Sequence, residues 1–299
     1  MKYRLFMLFL TAICHHVLPQ KNTTEKTNKG NNYTLVYEFP YDGEVLVNDV
    51  LADKSIYRVL NGTEFINYFI LENGEQTIKA ELTANMGSIS SESLKKTSSD
   101  FGIYNANIEN GEVQNIQPIQ KLNFPEFKTS VPSIVGEWKF NANLPFKLEG
   151  WKNSEDLSKW EKDKLEKEVV KKFNELRDIL NAGNSSEFLK QLAFANKEFF
   201  IANYYSEERK KEFLSNLSDD FTKQKNLVSP IENYRLRLMG NGKVVALETV
   251  SNDSQGILTT KDSKNKTTYV TYIMLHKPHN SESLEVVRYI AYSTGLLNR

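Results

Sequence analysis

The spacing of apolar residues changes abruptly at Asn153, and this change constrains the possible folds more than any other feature of the chain. Over residues 33–151 apolar side chains come in short runs punctuated by Gly, Asn and Pro. Residues 34–39 stop at Pro40, and residues 44–48 follow the turn pair Asp42-Gly43. Residues 77–84 alternate with Ile78, Ala80 and Leu82 on one face, after the short-turn dipeptide Asn73-Gly74. Further strands are expected at 101–108, 113–122 and 134–148, the last interrupted by Pro145. Many short strands with turn residues and little helical period predict an antiparallel β-sandwich over 33–151.

Beyond Asn153 the step becomes helical. Leu157, Trp160, Leu165, Val169, Phe173, Leu176 and Leu180 recur every three to five residues and mark one face of a long helix. Asn153 or Ser154 is the expected cap, with Glu155 and Asp156 in the first turn, and Gly183 the terminator. The opposite face is rich in Lys and Glu, with Glu168 four residues before Lys172, as on a solvated helix face. A second helix is expected over 186–204 and a third after Ser206. Strands then return at 234–239, 244–250, 256–260, 268–275 and 284–292. Helices followed by strands predict an α+β domain over 152–299, three helices packed on a curved antiparallel sheet. The fold class expected for the whole chain is therefore α+β.

Three segments carry the likeness of this second half to a known group: the helix from Phe173 to Asn181, the stretch Phe199-Phe200 to Tyr204-Tyr205, and the hairpin strand from Gly242 to Glu248. In element order they resemble the nuclear-transport-factor-like superfamily, the ketosteroid-isomerase-like or cystatin-like α+β cone. The resemblance implies a cone-shaped pocket between helices and sheet. The first half looks like generic β-sandwich modules of bacterial envelope proteins.

At the N-terminus Lys2 and Arg4 precede an apolar run over residues 5–13. That run is too short to span a bilayer, which takes about 20 residues, and fits the core of a secretory signal peptide. Residues 1–20 are read as the signal and the polar stretch 21–32 as a flexible leader. Cys14, the only cysteine, leaves with the signal or is the lipidated residue of a degraded lipoprotein box. Loss of Cys14 would leave the mature chain without disulfides or thiolate chemistry. The expected location is exported: periplasmic or extracellular, or anchored to the outer membrane through Cys14. No transmembrane span is expected in the mature chain. Asn32-Tyr33-Thr34 and Asn61-Gly62-Thr63 match the glycosylation triplet, but the chain's richness in Asn makes chance matches common.

Lys plus Arg balance Asp plus Glu, 38 against 38, so no basic field gathers phosphates, and nucleic acid is not an expected partner. No nucleophile elbow, phosphate loop, dinucleotide fingerprint or His-Glu-x-x-His motif is present, and no catalytic residue, cofactor or metal is expected. His276-Lys-Pro-His279, with Glu282 and Glu285 nearby, reads as a polar turn more readily than as a metal site. Glu248 shares parity with Val244 and Ala246, and Arg288 with Leu284, Val286 and Ile290. Charges on apolar faces need partners or a function. They pair with each other or with tyrosines, or they project into the cone beside Tyr204 and Tyr205. These four residues and His276 are the candidate ligand contacts. The reading that follows is an exported, non-catalytic binding protein recognising a glycan, a small molecule or a protein. An enzyme with Glu248 as base in the cone, and an immunity protein against a periplasmic toxin, are the alternatives.

Overall fold

The computed structural model describes residues 29–55, 59–109, 112–250, 255–262 and 267–294. The expected signal peptide, Cys14 and residues 21–28 of the leader lie outside the described residues. Strand content is 43% and helix content 26%, arranged as three antiparallel sheets with five α-helices among the described residues. This corrects the expected fold class. The chain is mostly β, and the α+β assembly of a β-sandwich followed by a three-helix domain is not what forms. The long helix expected from Asn153 begins only at Lys162, the second expected helix breaks at Leu192, and β1 takes up residues expected in the leader, so strand outweighs helix.

Two compact units divide the described chain: residues 29–152 with 198–204, and residues 153–197 with 205–294. In the first, strands β1 (Lys29–Phe39), β4 (Leu60–Phe65), β6 (Gly102–Glu109) and β7 (Glu112–Lys121) form a sheet ordered β4-β1-β6-β7. Strands β2 (Asp42–Val47), β3 (Val50–Lys54), β5 (Gly74–Thr83) and β8 (Ser133–Ala142) form another, ordered β3-β2-β5-β8, and helix α1 (Ser91–Thr97) lies between β5 and β6 in the chain. Residues 29–32, expected in the leader, belong to β1, and Asn32 is fully buried. Its glycosylation triplet is therefore part of the folded interior. Asp42-Gly43 opens β2 instead of forming a turn. The β2–β3 turn is Asn48-Asp49, both at positive φ (52° and 62°), a geometry that Asn and Asp tolerate with little strain.

The seven-residue segment 198–204 completes this unit from far along the chain. The Glu198 carboxylate is buried and accepts from the backbone N–H of Glu149 (2.6 Å) and Gly150 (3.0 Å). Asn32 Nδ2 donates to Asn203 Oδ1 (3.0 Å), and Tyr204 Oη donates to the Asn31 carbonyl (2.9 Å). Gly30 is required by that last contact: a Cβ there would sit 2.1 Å from the Tyr204 ring.

The second unit holds helices α2 (Lys162–Asn181), α3 (Ser185–Gln191), α4 (Ala193–Ala202, shared across the division) and α5 (Glu207–Thr222). Its sheet contains β9 (Tyr234–Met239), β10 (Val244–Thr249), β11 (Leu258–Asp262), β12 (Thr267–His276) and β13 (Glu285–Thr294), ordered β11-β12-β10-β9 with β13 paired to β12. Leu165, Val169, Phe173 and Leu176 of α2 pack on Val245, Leu247, Ile273 and Leu275 of the sheet. Burying each such side chain contributes about 1.5–3 kcal/mol.

Helix α2 starts later than the period suggested. Ser154 bridges Pro278, Asp156 caps a short 3-10 turn over 157–159, and Trp160 is extended, so Leu157 and Trp160 reach the core from outside α2. The actual cap is Glu161, whose carboxylate accepts from the N–H groups of Asp163 (3.1 Å) and Lys164 (2.8 Å). The helix expected over 186–204 breaks at Leu192 into α3 and α4. Lys172, placed on a solvated face by its spacing from Glu168, is buried and donates to Gln191 (2.7 Å) and Glu175 (3.1 Å).

Candidate functional site

Strand alternation fixes which face of the second sheet each candidate occupies. Val245 and Leu275 face the helices and stand opposite each other. Val244, Ala246 and Glu248 on β10, with Tyr272, Met274 and His276 on β12, therefore point to the other face. Arg288 stands opposite Met274 and shares that face. Its parity with Val286 fails because the register shifts between Met274 and Leu275, leaving Val287 as an extra residue. A bulge of one residue thus separates Arg288 from Val286, which packs in the helix-facing core. Neither Glu248 nor Arg288 projects between helices and sheet, where the cone resemblance put them.

Glu248 is 0% exposed. Its Oε2 accepts from Arg235 Nε (3.1 Å) and Nη2 (2.8 Å); its Oε1 accepts from Arg237 Nη1 (2.9 Å) and Tyr272 Oη (2.7 Å). A carboxylate offers about four lone-pair sites, and four donors occupy them. The burial of this charge is balanced by pairing and hydrogen bonding. The arginines were missed in the sequence, although the hairpin register announces them: with Met239 opposite Val244, Arg235 falls opposite Glu248.

Arg288 is also 0% exposed, and its Nη1 donates to the Val287 carbonyl at 2.6 Å. His276 is 2% exposed, shares a 2.8 Å hydrogen bond between Nδ1 and Ser154 Oγ, and stacks on Phe194 with ring centroids 5.5 Å apart. Burial, reinforced by the nearby Arg288 charge, pushes its pKa down to about 4, so the imidazole is neutral at pH 7. His279 is exposed on the turn, its N–H bonded to the Asn153 carbonyl, so the two histidines have different surroundings.

Tyr204 and Tyr205 belong to different units. Tyr204, at φ 55°, holds the Asn31 carbonyl with Phe146 edge-on to its ring at 5.8 Å, and burial raises its pKa. Tyr205 is buried against Phe213 with the Arg209 guanidinium 4.6 Å from its ring centre, and burial raises its pKa as well. The structure thus joins Arg288 with His276 electrostatically and surrounds Glu248 with arginines, but does not gather the five candidates around one concavity.

An open concavity lies elsewhere in the second unit, on the outer face of α2 beside the start of β9. It encloses about 510 Å³ and is lined by Asp163, Glu166, Lys167, Val170, Lys171 and Tyr234, with Asn174 at one end. Tyr234 Oη donates to Glu166 Oε1 at 3.1 Å, fixing the aromatic wall. Burial, and after it the Glu166 carboxylate beside the hydroxyl, raises the Tyr234 pKa. Sequence reasoning missed this groove because its residues are the Lys- and Glu-rich face of a helix, a pattern shared by every solvated amphipathic helix. Comparison with family models, with curated proteins and with solved structures gives no match. No superfamily is identified by these comparisons. No helix among the described residues is long and apolar enough to cross a membrane.

Proposed function

We propose that this chain is an exported, non-catalytic binding protein that recognises its ligand in the groove between α2 and β9. One contrast carries the reading. The acid and base chemistry is turned inward, with the four acceptor positions of Glu248 filled and His276 buried, whereas the open groove offers charged heads around an aromatic wall. Binding sites combine an apolar or aromatic floor with a few placed polar groups, and Val170 with Tyr234 supplies the floor here. A general base needs a lone pair within reach of substrate, which the Glu248 geometry does not offer. Export is supported by Lys2, Arg4 and the apolar run over residues 5–13.

The test is a fragment screen read on backbone amide resonances. Hits are expected to move the amides of Lys167, Lys171 and Tyr234, and to be lost in a Lys167→Glu, Tyr234→Ala double variant of unchanged melting temperature. Hits that cluster at Glu248, His276 and Arg288 instead would overturn the assignment.

A further inference from the structure

The stretch that opens the second unit, residues 153–157, is an extended strap closed over a buried histidine. We propose that this strap is released by acid: protonation of His276 detaches it from the end of β12 and from the turn that follows, while the sheet stays folded. The device gives the chain a local response to acid that stops short of global unfolding.

Among the described residues the strap is held by a short set of bonds. Ser154 forms an isolated antiparallel bridge with Pro278. Around it the Glu155 N–H donates to the Lys277 carbonyl (2.8 Å), the His279 N–H to the Asn153 carbonyl (3.2 Å) and the Leu157 N–H to the Gly242 carbonyl (2.8 Å). Lys277 Nζ pairs with Glu155 Oε1 at 3.3 Å. A buried hydrogen bond of 2.8 Å joins the Ser154 hydroxyl to His276 Nδ1. Strand β12, by contrast, is paired with β13 on one side and with β10 and β11 on the other. Local opening follows the least supported element, so the strap and not the strand is the part that yields to free the ring.

The closed ring has no place for a second proton. His276 Nε2 is buried and has no hydrogen-bond partner among the described residues. An imidazolium donates from both nitrogens, so protonation leaves a buried charged donor without an acceptor. The groups around the ring do not relieve it. On β13, Arg288 is fully buried and adds a like charge. Glu285 stands opposite His276 in the register, yet its carboxylate bonds neither ring nitrogen. On β10, Val244 is the paired neighbour, and Glu248 farther along that face is occupied by Arg235, Arg237 and Tyr272. Helix α4 presents the Phe194 ring. The strap presents a neutral hydroxyl, its Glu155 carboxylate being engaged by Lys277 and Trp160. Burial and the Arg288 charge hold the closed ring at a pKa of about 4, against 6.5 for an unperturbed imidazole. The open strap therefore takes up the proton first, and opening becomes easier as pH falls from 6.5 towards 4.

The test is native-state amide hydrogen exchange of the full chain, corrected for the intrinsic pH dependence of exchange and repeated at low urea. Between pH 7 and about 4.5, protection of the Glu155, Leu157 and His279 amides is expected to fall at least about tenfold. Low urea should hardly accelerate these three amides, because strap opening exposes little surface, whereas β12 amides should exchange by urea-sensitive unfolding. His276→Gln keeps a hydrogen-bonding side chain that does not titrate, and is expected to flatten the pH dependence. Ser154→Ala, which removes the hydroxyl and leaves the ring, is expected to lower protection of the same amides at pH 7 and to keep their fall towards acid. The His276 ring, followed by its own proton resonances in the unmodified protein, is expected to be neutral at about pH 5.5. Equal urea sensitivity in the strap and β12 amides would overturn the proposal, since the proton would then act through global unfolding. So would an undiminished pH dependence in His276→Gln, or a ring that titrates near its unperturbed value while the three amides stay protected.

Discussion

His276 is held neutral in the fold, with Arg288 nearby and Ser154 on Nδ1, and that gives the protein a specific response to acid. Its folded pKa of about 4 lies below the 6.5 of an unperturbed imidazole. The unfolded chain therefore takes up the proton first as pH falls. Stability from this residue is complete above pH 6.5 and is lost progressively towards pH 4, by about 3 kcal/mol in all. Denaturant titrations of the protein and of His276→Gln should diverge over this window, with the variant showing the flatter dependence. Glu248 behaves differently, since removing its carboxylate leaves two guanidiniums without their shared acceptor. Glu248→Ala is expected to lose about 3–5 kcal/mol in urea unfolding, and a loss below 1 kcal/mol would show that the network is solvated. Gly30→Ala drives a methyl into the Tyr204 ring and should cost at least about 1–3 kcal/mol. A double-mutant cycle with Tyr204→Ala should recover much of that loss if the clash is the cause.

Elements whose pattern is set by local packing were legible; those set by a single residue were not. The alternation of Ile78, Ala80 and Leu82 located β5, and the step through Leu165, Val169, Phe173 and Leu176 located the body of α2. Phe173 is fully buried in the helix-facing core, and Phe173→Ala is expected to cost about 3–5 kcal/mol by chemical denaturation. The start of α2 was misplaced by seven or eight residues because Asn153, Ser154 and Glu155 form a good capping sequence, yet the Ser154 hydroxyl is drawn to His276, more than a hundred residues away. Arg288 was assigned to the wrong face because the Val287 bulge leaves no mark on the alternation that precedes it. Of the candidate site, the buried charges were legible as unusual. Their partners were legible only through the hairpin register, and the α2 groove was not legible at all. The fold class was misjudged in part because β1 takes up residues 29–32, a polar stretch with no apolar period to mark it as strand.

At the scale of the whole molecule, the chain is not divided at one point, because residues 198–204 belong with the N-terminal unit. A fragment ending at residue 152 lacks Glu198 and Tyr204, and with them the acceptor for the Glu149 and Gly150 amides and the ring over Gly30. Such a fragment is expected to show poorer amide dispersion at residues 30–33 and 149–150 than the full chain, and identical spectra would argue that the segment is dispensable. The central claim is that binding, and not catalysis, is the task, and that the α2–β9 groove performs it. Native mass spectrometry of the protein isolated from its native host, beside Lys167→Glu/Tyr234→Ala and His276→Gln, tests it most directly. The account predicts an added mass on the wild type and on His276→Gln that disappears from the groove variant. An added mass that survives the groove changes but is lost with His276→Gln would contradict it.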